Sequence, residues 1–153
     1  MARSKKKNKQ PRSKHNPRNA KTPRFRETPP SDAQAKFIWR VNRKYLDFDH
    51  VDLGWCNCNT EVLLWDVIQE LQSYEGLTWQ QIREKSRHNH SWEYHYIPKP
   101  LRDRLKERQL DYLPELYQLA LANVPRIWGY KEINTFYLIW YDPKHEGYKT
   151  PAR

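Results

Sequence analysis

The residues of this chain best suited to chemistry lie near its C-terminus, in the stretch RIWGYKEINTFYLIWYDPKHEGYK from Arg126 to Lys149. Arg126 and Lys131 supply cations, His145 an imidazole that titrates near neutrality, Asp142 a carboxylate, and Tyr148 a phenol able to hydrogen-bond or stack. These are the groups needed to cleave RNA without metal, since an imidazole moves the proton while cations stabilise the charge developing on the phosphate. Lys149 follows as a further cation. A structural alternative stands beside this reading, because Asp-Pro-x-His often closes a turn in which the aspartate caps backbone N–H groups and the histidine is solvated.

A second group of residues lies in RHNHSWEYHYIPKP. It interleaves Arg87, His88, His90, His95 and Lys99 with Trp92, Tyr94 and Tyr96, offering charge for a nucleic-acid backbone and flat rings for bases. The competing reading makes the aromatics pieces of the core. Cys56 and Cys58 with His88 and His90 are a weak alternative as a zinc set, because structural sites space their ligands by two to four residues and these pairs do not. Asp47, Asp49 and Asp52 lack the glycine and distal glutamate of a calcium loop and read as a solvated acidic loop. No Gly-rich phosphate loop, G-x-S-x-G or H-E-x-x-H occurs, so nucleotide hydrolysis, serine hydrolase and zinc protease chemistry have no support. No cofactor is expected.

Charge is distributed unevenly over the 153 residues. Residues 1–30 hold 11 of the 28 Lys and Arg, Lys5, Lys6 and Lys7 among them, against the single acid Glu27; the rest balances at 17 basic and 17 acidic residues. That segment carries five prolines and, after Met1, only Phe25 as a large apolar side chain, so it reads as a disordered basic tail to about residue 36. It would give salt-dependent, sequence-blind attraction to polyanions. All seven Trp and ten Tyr lie beyond it, enough aromatic area to build one core over residues 37–153. No apolar run approaches the ~20 residues that span a bilayer, and two cysteines make no disulfide framework, so a reducing cytoplasm is expected.

The elements that must position these side chains follow from local signals. Phe37 to Asn42 reads as a first strand. A helix starts at Asn59 or Thr60 and stops at Gly76, and Thr78-Trp79-Gln80-Gln81 fits a capping box that opens a second. Residues 87–98 lack any period and read as a loop, and Pro100 to Gln109 as a third helix. Three segments then alternate as strands, 116–121, 126–132 and 135–142, with turns at Asn123-Val124-Pro125 and Ile133-Asn134. The expectation is an α+β domain in which an N-terminal strand and two to three helices precede a three-stranded antiparallel meander, with the helices on one face of the sheet.

The stretch LYQLALANVPRIWGYKEINTFYLIWYDPKHEGYKT resembles the C-terminal half of the RelE/ParE/HigB toxin superfamily, and the F-Y-L-x-W-x-D-P-x-H segment is similar to that of uncharacterised prokaryotic proteins. The likeness covers the order of elements over residues 37–150 and residue pattern only over 116–149. It implies a RelE-like domain acting as an mRNA endoribonuclease, ribosome-dependent or free, in which the 2′-hydroxyl attacks the adjacent phosphate. By position, Arg126 would match the strand arginine, and Asp142, His145 and Tyr148 the terminal polar motif; Lys131 and Lys149 would touch phosphate. Its partners would be RNA or the ribosome, together with an antitoxin-like protein in a toxin–antitoxin pair. A rival expectation is a non-enzymatic nucleic-acid-binding or interaction module in which the same residues are structural.

Overall fold

The computed structural model describes residues 31–122 and 124–147. The basic N-terminal segment with Lys5, Lys6 and Lys7, the turn residue Asn123, and Tyr148 and Lys149 lie outside the described residues.

The architecture is α+β. Strands β1 (Ile38–Arg40), β2 (His90–Glu93), β3 (Glu115–Ala120), β4 (Arg126–Glu132) and β5 (Thr135–Asp142) form one mixed sheet in the order β1-β5-β4-β3-β2. β1 runs parallel to β5, and every other pair is antiparallel. The successive strands β3, β4 and β5 are thus the middle of a larger sheet. The segment expected to be a loop supplies the edge strand β2, followed by a 3₁₀ turn at Tyr94–Tyr96. With four residues and alternating half-buried and exposed side chains, β2 is held by its ladder to β3 and has no continuous apolar signature.

Helical elements are α1 (Thr60–Val62), a π-helical segment (Leu63–Ile68), α2 (Gln69–Tyr74), α3 (Trp79–Lys85) and α4 (Lys99–Glu107). Asn59 caps the first, its side chain accepting from the Val62 N–H, and the Thr78/Gln81 capping box forms at α3 with both reciprocal bonds.

The helices occupy both faces of the sheet, which corrects the one-face expectation. On the first face Val67, Leu71, Tyr74, Trp79 and Ile82 pack against Tyr117, Leu119, Ile127, Phe136 and Leu138. On the second, Leu101 and Leu105 of α4, with Ile97, Leu110 and Leu113, cover Leu116, Trp128, Ile139 and Trp140. The cause is legible in β4 and β5, whose side chains are apolar in both parities, as a sheet covered on two sides requires. Gly129 is needed between them because a Cβ there would stand 2.4 Å from the Phe136 ring.

Candidate active site

Alternation along the strands decides what meets what. Arg126 and Trp128 share one parity of β4 and face the second side of the sheet, where Trp128 is wholly buried. The antiparallel register sets Arg126 opposite Asp142, Trp128 opposite Trp140 and Gln118, and Gln118 opposite His90. The end of this face therefore gathers His90, Gln118, Arg126 and Asp142 on four adjacent strands. Loops at either side bring in His88 and His145, whose rings stand 6.5 Å apart at an interplanar angle of 74°.

Each histidine-bearing loop is pinned separately. Asp142 is 1% exposed and accepts from the backbone N–H groups of Glu146 (2.8 Å) and Gly147 (2.9 Å), folding 143–147 back on β5 with His145 in the left-handed region at φ 55°. Asp142 thus caps the turn, as the structural alternative for Asp-Pro-x-His expects, and positions His145 through the backbone. On the other side, buried Asn89 donates to the Ile82 carbonyl (2.8 Å) and accepts from the Ala120 N–H (2.7 Å), while the Gln118 amide donates to the His88 carbonyl (3.2 Å). A lone glutamine inside the apolar run Leu-Tyr-Gln-Leu-Ala-Leu was the signal for this clamp.

Arg126 is 4% exposed and spends one guanidinium nitrogen on the carbonyls of Val124 (2.8 Å) and Pro125 (2.9 Å). Burial lowers its pKa from the ordinary arginine value, and Asp142 opposes that shift. Its charge reaches both imidazoles. His145 is held below the usual histidine value by burial and by Arg126, with Asp142 acting the other way. His88 is lowered by burial, then by Arg126, Arg87, His145 and His90. Both shifts favour the neutral imidazole, and an arriving phosphate anion would favour the protonated one.

Beside this group, His90, Ser91, Trp92, Glu93, Tyr96 and Glu115 line an open cleft of about 420 Å³. The His90 and Trp92 rings lie 5.1 Å apart, Trp92 packs on Trp128 at 6.0 Å, and Tyr96 is 66% exposed. Arg87 is exposed next to His88.

Other expected residues fall elsewhere. Lys131 has the opposite parity of β4 from Arg126, donates to Asp32 (2.8 Å) and sits over the Trp79 ring at 4.7 Å, so it anchors the first face and does not join the histidines. Among the described residues no group of three or more His, Cys, Asp or Glu side chains is placed to hold a metal ion, so Cys56, Cys58, His88 and His90 do not converge. Asp47, expected in a solvated loop, is fully buried and structural: it accepts two bonds from Arg104 (2.8 Å each), one from Arg108 (3.3 Å) and one from the Trp140 indole (2.8 Å). No helix among the described residues is long and apolar enough to cross a membrane.

Comparison with protein-family models, with curated proteins and with solved structures finds no match to this chain.

Proposed function

We propose that the chain binds single-stranded RNA across this end of the sheet and cleaves it by metal-independent transesterification. The observation that carries the reading is the approach of two imidazoles, His88 and His145, borne on separately pinned loops beside the buried Arg126 charge. One neutral imidazole takes the proton of a ribose 2′-hydroxyl, the 2′-oxygen attacks the adjacent phosphorus, and the P–O5′ bond breaks as the second imidazole, protonated in the bound state, gives its proton to the leaving oxygen. The products are a 2′,3′-cyclic phosphate and a free 5′-hydroxyl. Arg126 stabilises the charge on the non-bridging oxygens. His90, Trp92 and Tyr96 supply rings on which neighbouring bases stack, and Arg87 a backbone contact.

This is also the activity that the RelE-like resemblance implies, and its Arg-hydrophobic strand, hairpin and terminal polar segment occur here in that order. On that reading the RNA is an mRNA, free or on the ribosome, and an antitoxin-like protein covers the site. A second reading, a binding module without catalysis, is favoured by one observation: Arg126 and Asp142 both spend bonds on backbone groups of their own turns.

Incubating the full chain with labelled RNA in chelator, and mapping the ends, separates the two. Cleavage predicts 2′,3′-cyclic phosphate ends that fall at least ~100-fold in rate in His88→Ala and in His145→Ala, with RNA affinity changed only a few-fold. Binding without new ends would leave the module reading.

A further inference from the structure

A groove of about 560 Å³ lies between the π-helical segment with α2 and the residues leading into β4; Trp65, Asp66, Glu70, Leu121, Val124 and Pro125 line it. Its apolar wall is open to solvent, with Trp65 66%, Val124 53% and neighbouring Leu64 48% exposed. A π-helical turn is an uncommon, costly conformation that recurs at functional sites, and here it sets Trp65 and Asp66 on the rim. The charge is one-sided. Residues 59–77 contain Glu61, Asp66, Glu70 and Glu75 and no Lys, Arg or His. Lys85 reaches Glu70 at 3.5 Å from α3, and Asp66 has no ion pair among the described residues. Such a groove repels phosphates and anionic lipid and suits a basic peptide carrying an aromatic side chain.

We infer that the groove is the docking site of the chain's own basic segment, with Phe25 against Trp65 and Val124 and with Arg24 and Arg26 on Asp66 and Glu70. The segment has the complementary charge, and Phe25 is its only large apolar side chain after Met1. Asp32 is ion-paired to Arg83, two residues before the Lys85 that bonds Glu70, and the seven residues from Asp32 back to Phe25 span up to ~23 Å. Docking neutralises the arm, so the groove and a polyanion compete for the same cations. The docking does not depend on the RNA reading; the competition does.

Zero-length carbodiimide coupling of the full chain, read by peptide mass spectrometry, tests the docking. A 1:1 mixture of unlabelled and ¹⁵N-labelled chains distinguishes links within one chain from links between two. The expected result is a Lys21 link to Asp66 or Glu70 within one chain, reduced at least fivefold in a variant carrying Arg24→Ser, Phe25→Ser and Arg26→Ser. The Lys85–Glu70 link serves as internal control. No Lys21 link while the control forms, or links only between labelled and unlabelled chains, would overturn it; the latter outcome would seat a second copy in the groove. For the competition, full-length Asp66→Asn with Glu70→Gln should bind a 20-mer oligouridylate about three- to tenfold more tightly at low salt, an advantage that vanishes at high salt. Equal affinities at low salt would show that the groove does not withhold the arm.

Discussion

Two carboxylates, Asp47 and Asp142, are buried on the same side of the sheet, and their surroundings differ in kind. Asp47 is enclosed by side-chain cations and an indole. Burial pushes its carboxyl up, yet Arg104, Trp140 and Arg108 together hold it below the usual aspartate value. Asp142 faces the single buried cation Arg126 across the register, but its two oxygens accept from backbone N–H groups of the turn that carries His145. The first arrangement ties α4 to the loop before the first helix and to β5. The second converts a buried charge into the position of an imidazole. Burial of a carboxylate alone does not mark a reacting site; what its partners hold in place does.

Removing the charge at each place should separate these roles. Asp47→Asn leaves Arg104 and Arg108 facing a neutral amide and should cost about 3–5 kcal/mol in denaturant unfolding, with cleavage by the remaining folded protein unchanged. Asp142→Asn keeps one acceptor for the turn but sets an amide NH2 against the other backbone N–H, and should cost about 1–3 kcal/mol while lowering cleavage ~10-fold by displacing His145. If the two variants behave alike in both assays, the contrast fails. A smaller effect sharpens it through pH. Both His88 and His145 have folded-state pKa values below the unfolded one, so the folded state binds fewer protons. Their contribution is complete above about pH 6.5 and is lost as pH falls below it. Asp47, also depressed, loses its contribution only as pH falls below about 4. His145→Gln should therefore flatten the stability profile below about pH 6.5 while leaving the acid limb below about pH 4, which Asp47→Asn should reduce.

Much of the sheet was legible because β4 and β5 are long, rich in aromatic and β-branched residues, and separated by Ile133-Asn134, with Ile133 taking the positive φ of 56° that the turn needs. The pairing of Arg126 with Asp142 follows from counting outward from that turn, provided the bulge is included: at Trp128/Gly129 the register shifts, and Ile139 and Trp140 both face the second side. The same counting argues against Lys131, an odd number of residues from Arg126 and so on the other face. What was not legible depends on contacts far apart in sequence. His-Ser-Trp-Glu becomes a strand only because β3 offers an open edge, and α4 crosses to the second face through buried Asp47, which local pattern read as solvated. The approach of His88 to His145 joins loops on different strands, which no spacing rule reveals.

The parallel pairing of β1 with β5 closes a loop of about a hundred residues, Ile38 against Thr135, and His145 follows β5 directly. Neither that ladder nor the approach of His145 to His88 can form before residues 135–145 have joined the fold, so both are late, non-local contacts that the helices and the β3–β4 pairing can precede.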